Sequence, residues 1–320
     1  MTCWNRLTGW LAFGACALIA SCASPAQSPT IPSVARGVRA SQPRSAAADL
    51  YVITWWHQRV LGYTDAGGTG WKEAIELEGL VSPRGLALDA SGNVYVTDSY
   101  IDVVAVYAPG SAHPFATIQA PAGEHPYYVA VTAAGNIWTG NTTSSGGGEL
   151  AEFSSNGTLM QTIACSEIKD YSGALAADAA GDLFVQSGSS QRKRVVEELP
   201  AGQTSCKSLP PAFSDPGGIA VTNSGDLVVA DRQNYDAFTY AAPAFAKIVA
   251  RTNFGGGNPH GASFAVDLSL TKANDQIWTA NYPGPQHYGI TLYRYPHGSS
   301  RRLAHIRTAY GAAIAVVAGY

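Results

Sequence analysis

Charge is scarce in this chain. Of its 320 residues only 13% are Asp, Glu, Lys or Arg, and the formal net charge is −3. A balance so close to neutral leaves no electrostatic footprint for nucleic acid, and that class of partner is excluded. Long Ala/Leu/Glu/Lys stretches with a helical period are missing too, which excludes a helical bundle. No apolar run reaches the ~20 residues that a spanning helix needs. The chain has no Gly-x-Ser-x-Gly elbow, no His-Glu-x-x-His, no phosphate-cradling loop and no Cys-x-x-Cys, so those catalytic templates fall away. What it does have is glycine (34), tyrosine (16) and short β-branched runs. That is the composition of an all-β protein with many short strands.

The N-terminus reads as a processing segment rather than as structure. Arg6 supplies a weak positive charge, "LTGWLAFGACALIA" an apolar stretch, and "IASC" ends at Cys22. Those last residues resemble a bacterial lipobox. The resemblance implies a signal peptide over residues 1–21 and a diacylglycerol on Cys22, whose acyl chains anchor the exported chain to a membrane surface. The alternative is an ordinary secretory signal cut near Ala23 or Ala26. Ala23 after the cysteine, in place of aspartate, resembles sorting to the outer membrane of a two-membrane envelope. The segment 22–48 is rich in Ala, Ser and Pro, and its only charges are Arg36, Arg39 and Arg44. It cannot bury enough apolar surface to offset ordering, so it reads as a disordered tether. Of the five cysteines, Cys3 and Cys16 leave with the signal. Cys165 and Cys206 remain as an even pair in an oxidising compartment. They are read as a disulfide, with two separately buried thiols as the alternative.

The phrase "GLALDASGNVYVTDSY" from Gly85 returns as "YVAVTAAGNIWTGNTT", "ALAADAAGDLFVQSGS" and "GIAVTNSGDLVVADRQ". Its turn glycines, Gly92, Gly135, Gly181 and Gly225, stand 43, 46 and 44 residues apart. A fifth copy from Ala262 keeps both strands and is expected to enlarge the turn between them. After each opening pair come two more strands, with Tyr107, Phe153, Leu199, Tyr240 and Tyr295 just before the turn that joins them. Four-stranded units at this period describe a β-propeller. Residues 49–77 hold strands b, c and d with no strand a, and 311–320 hold a strand a with nothing after it. Joined, they complete a sixth blade and close the ring, so the propeller spans 49–320. One pleat position of strand b carries Tyr51, Tyr95, Trp138, Phe184, Val228 and Trp278, which predicts packing between blades. The polar residues that end strand b, Asp98, Asn141, Asp231 and Asn281, read as turn caps.

The motif "PRGLALDASGNVYVTDSYIDVVAVYAPG" resembles the NHL-repeat propellers and, more loosely, the gluconolactonase-like and streptogramin-lyase six-bladed families. The resemblance implies the six-bladed fold but not a function, because that fold hosts enzymes and binding modules alike. Propeller ligands sit where the d-to-a connections and b-to-c loops open around the channel. The residues entering each strand a are therefore the candidates for that mouth: Arg84, Glu124, His125, Tyr127, Tyr171, Asp215, His260 and Tyr310. Such a set suits a small polar or anionic ligand. "EHP" at Glu124 and "NPHG" at Asn258 are similar to lactonase motifs, with His125 and His260 standing in place of the family's glycine and asparagine. "PHG" is nearer the lyase pattern, which makes His260 the candidate catalytic base. In that enzyme reading Glu124 and Asp215 would hold Ca²⁺ or Mg²⁺, which polarises a carbonyl. The leading reading is a non-catalytic, lipid-anchored envelope module without a cofactor. Its partners are the membrane and a protein or small polar ligand. The enlarged fifth-copy turn, "DLSLTKANDQ", is a further candidate partner surface.

Overall fold

The computed structural model describes residues 47–54, 57–66, 70–165, 168, 172–187, 195–210, 213, 215–255, 264–282, 289–297, 302–308 and 311–316. The signal segment, Cys22 and the tether up to residue 46 lie outside them. The described residues form 24 strands in six four-stranded antiparallel sheets, with no α-helix among them.

Blade I joins β1 (Leu50–Thr54), β2 (Arg59–Asp65) and β3 (Trp71–Leu77) to β24 (Gly311–Val316). Blade II is β4 (Pro83–Leu88), β5 (Val94–Asp98), β6 (Val103–Tyr107) and β7 (Pro114–Gln119). Blade III is β8 (Glu124–Val131), β9 (Ile137–Thr143), β10 (Gly148–Phe153) and β11 (Leu159–Ile163). Blade IV is β12 (Ser172–Ala177), β13 (Leu183–Ser187), β14 (Val196–Leu199) and β15 (Lys207–Ser208). Blade V is β16 (Pro216–Val221), β17 (Leu227–Asp231), β18 (Asp236–Tyr240) and β19 (Ile248–Asn253). Blade VI is β20 (Phe264–Leu270), β21 (Gln276–Tyr282), β22 (Ile290–Arg294) and β23 (Ala304–Ile306). The a strands β24, β4, β8, β12, β16 and β20 touch one another in that order around the axis. Ring closure follows the sequence expectation: β24 lies antiparallel on β1, with Leu50 opposite Val316 and Val52 opposite Ile314.

Side-chain alternation along each strand feeds both blade faces, and the core is six clusters, one for each pair of neighbouring blades. Tyr51, Tyr95, Trp138, Phe184, Val228 and Trp278 are all buried, and each packs against the following blade. Their strand neighbours, such as Val94, Ile137 and Leu227, face the preceding one. An aromatic platform for ligands is thus ruled out at this position by burial.

The a–b turns repeat one design. The amides of Gly92, Gly135, Gly181 and Gly225 bond the carbonyl three residues back, with φ of 77°, 87°, 93° and 85°. These left-handed values favour glycine. In blade VI Asn274 takes the same role at φ 53°, bonding the Thr271 carbonyl. Its closing bond, from the Thr271 amide to the Gln276 carbonyl, spans one residue more than in the other copies. The expected enlargement is therefore a single residue, disguised in sequence by asparagine standing for glycine. The ladder also sets the register of blade VI against that of blade II. Ala265 pairs with Asn281 as Pro83 pairs with Asp98, so Val266, downstream of His260, holds the place of Arg84.

Gly85 and Gly218 are required by crowding around the axis. A Cβ on Gly85 would lie 2.7 Å from the Tyr127 carbonyl oxygen and the Tyr128 Cα. One on Gly218 would run into the backbone of Asp267 and Leu268. Thr97 fastens the same contact, its Oγ1 accepting from the Gly85 amide (2.8 Å) and donating to the Tyr127 carbonyl (3.0 Å). Outside the strands, Ala47 and Ala48 sit beside the Ala90–Gly92 turn. Cys165 and Cys206 are bonded to each other, with Cα atoms 5.2 Å apart. Gly218→Ala should lower stability by about 1–3 kcal/mol through overpacking. An unchanged urea midpoint would show that the inner strands have room to spare.

Candidate functional site

At the strand-a entrances of blades II and III the loops are built around one carboxylate. Asp98, fully buried at the end of β5, accepts from the amides of Val81 (2.5 Å), Ser82 (3.0 Å) and Tyr100 (3.1 Å). It therefore pins both the connection into β4 and the turn after β5. Asp231 caps the corresponding turn in blade V, accepting from the amides of Gln233 (3.0 Å) and Asn234 (3.2 Å). These caps use the carboxylate oxygens on local backbone.

The amides of Val81, Tyr100 and Ile101 all converge on this one carboxylate, which draws their three backbone positions together. All three are exposed, Tyr100 at 74%. Next to them the Arg84 guanidinium lies over the Tyr127 ring, 5.5 Å from its centroid, and its Nε donates to Ser99 Oγ (3.2 Å). The turn ends at Asp102, whose φ of 57° aims it at blade III. There its Oδ1 meets His125 Nδ1 at 2.6 Å. An apolar patch bordered by a cation–π pair and an imidazole–carboxylate pair results.

Of the residues expected at the channel mouth, Arg84, Tyr127 and His125 come together on these two blades. Asp215 stands apart in blade V, its Oδ1 2.5 Å from Arg232 Nη2. Glu124 turns into its own blade. It is buried and accepts from Asn141 Nδ2 at 2.5 Å. Burial pushes its carboxyl up from the ordinary glutamate range, the bond from Asn141 pulls it down, and the charge of Glu149 raises it further. Tyr171, His260 and Tyr310 lie outside the described residues.

Sequence reading missed Val81, Tyr100, Ile101 and Asp102. The signal was present in "DSYID", where two large apolar residues follow a capping aspartate in a turn. The strand-a entrances are only one end of the channel. A cavity of about 380 Å³ lies at the other end, among the a–b turns. Its walls are Leu86–Leu88, Val129–Val131, Leu175–Ala177 and Ile219–Val221, with Asp267, Lys272, Asn223 and Asn274.

The sequence model of the NHL repeat matches residues 213–235, the first two strands of blade V. Among solved structures the chain is similar to a protein of unknown function from Bacteroides caccae, at 15% identity and a TM-score of 0.62, covering 83% of this chain and 97% of that one. It is also similar to a chain of a nidogen/laminin complex, at 13% identity and a TM-score of 0.64 over the same shares. The Dos1 propeller aligns at 11% identity and a TM-score of 0.51, covering 81% of this chain and 69% of that one. At these identities the likeness is one of fold. No curated protein matches.

Asp98→Ala would leave buried backbone donors unpaired and should cost about 2–4 kcal/mol, since each orphaned group is worth roughly 1–3 kcal/mol. The check is the urea midpoint together with amide exchange at Val81 and Tyr100. Protection as in the wild type would mean that the loops do not need this cap.

Proposed function

We propose that this protein is an exported binding module, held at a membrane surface by lipidated Cys22, that offers the strand-a entrance face of blades II and III to a protein partner. The observation that carries this reading is the exposed group of Val81, Tyr100 and Ile101. Beside it stand an Arg–Tyr pair and a His–Asp pair. An apolar centre containing tyrosine, rimmed by arginine and other polar groups, has the make-up of a protein-binding hot spot. The loops that carry it are already fixed by Asp98, so little ordering is left for binding to impose. The propeller's likeness to a chain of the nidogen/laminin complex is compatible with such a role. The alternative, a lactonase or lyase with a metal on Glu124 and Asp215, would need Asp215 released from Arg232.

A photo-crosslinking residue placed at Tyr100 in living cells should give one discrete protein adduct, reduced when Arg84 is changed to alanine. The same probe at Phe115, on the outer strand β7, should give none. An adduct of equal yield at Phe115, or none at Tyr100, would defeat the reading; small polar ligands would instead perturb Arg84 and His125 spectroscopically. The anchor is tested separately. Cys22→Ser should abolish incorporation of radiolabelled fatty acid and move the protein to the soluble fraction, and unchanged membrane fractionation would end that part of the proposal.

A further inference from the structure

In blades II and V a carboxylate closes strand b, but in blade III an amide holds that position. Asn141 occupies the place of Asp98 and Asp231, opposite Pro126 on one side and Glu149 on the other. Directly paired residues share a sheet face, so Asn141 and Glu149 project to the same side. Glu124, opposite Thr143 two residues along β9, reaches that side as well, through the 2.5 Å bond from Asn141 Nδ2. The amide nitrogen of Asn141 is thereby used. Its oxygen is not: Asn141 is fully buried, and Oδ1 has no hydrogen-bond partner. A buried acceptor left unpaired is costly, and here it stands beside two carboxyl groups. No lysine or arginine is paired with Glu124 or Glu149 among the described residues.

We propose that Glu124, Asn141 and Glu149 form a binding site for a hard divalent cation, Ca²⁺ in the first place. The donors are two carboxylates and an amide oxygen, with neither imidazole nor thiolate among them. No group of three His, Cys, Asp or Glu side chains placed to hold a metal ion occurs among the described residues; this set has two carboxylates, and its third donor is an amide oxygen, a hard ligand like them. Calcium accepts six to eight oxygens at roughly 2.3–2.6 Å in irregular geometry, with water and backbone carbonyls completing the shell. Magnesium demands a stricter octahedron and keeps more of its water, so it should bind more weakly. Glu149, the half-buried member of the set, gives solvent access. The adjoining loops are already tied to each other by the bond from the Ser144 amide to the Gly123 carbonyl (3.1 Å). A cation here would clip strands a, b and c of one blade together. This role is structural, lies within a blade rather than in the channel, and does not depend on the proposed function.

The test uses the purified full-length protein after chelator treatment, titrated with CaCl₂ and separately with MgCl₂ by calorimetry and thermal melting. The expected result is one Ca²⁺ per chain, a melting temperature that rises with Ca²⁺ because the ion binds the folded state, and a weaker response to Mg²⁺. Glu149→Gln should weaken Ca²⁺ binding about tenfold or more without lowering the metal-free melting temperature, since it removes only repulsion. Asn141→Asp, which adds a charge, should tighten it. Wild-type protein that takes up no Ca²⁺ at millimolar concentration would overturn the site. So would an affinity unmoved by both Glu149→Gln and Glu124→Gln, which would mark the ion as one loosely held elsewhere.

Discussion

The ladder between β24 and β1 is the contact on which the ring depends. Five blade interfaces can form between units that follow one another in sequence, but the sixth exists only when the last strand is laid against the first. Once Leu50 and Val316 are paired, Leu50, Val52 and Leu61 of blade I meet Trp278, Ile290 and Leu292 of blade VI. Among the described residues every blade then shares an apolar cluster with each of its two neighbours. The same closure sets the width of the channel. Six inner strands on a small circumference crowd one another, and Gly85 and Gly218 are the answer to that crowding.

Inside the ring, fixed hydrogen bonds take over from hydrophobic packing. The polar groups buried between blades are those that hold loops in one conformation. Asp236 is fully buried and receives Arg251 Nε at 2.9 Å, Arg251 Nη2 at 2.5 Å and Asn253 Nδ2 at 2.9 Å. The hydrogen bonds to Asp236, and after them its negative charge, raise the Arg251 guanidinium above its ordinary range. Blade IV relies on a covalent link instead. Its outer strand β15 has only two residues, and the Cys165–Cys206 bond just before that strand closes a 41-residue span of chain. Restricting a loop of that size in the unfolded state is worth about 4 kcal/mol in the chain-entropy account.

Periodic constraints were legible in the amino-acid sequence, and local ones were not. The turn glycines, the strand-b aromatics and the split sixth blade each recur because the ring demands the same backbone or the same packing six times. The blade VI turn misled because asparagine tolerates a left-handed φ almost as glycine does. The patch of Val81, Tyr100 and Ile101 occurs once, so no repeat could point to it. The meeting of Glu124, Asn141 and Glu149 depends on which residues face each other across two ladders. That is settled by pairing register and bulges, and spacing along the chain says nothing of it.

The place where the described chain starts has a consequence for orientation. Ala47 and Ala48 lie beside the Ala90–Gly92 turn, at the opposite end of the blades from Asp98 and its loops. β1 therefore enters blade I from the end that carries the a–b turns and leaves it toward the end at which the Asp98 loops stand.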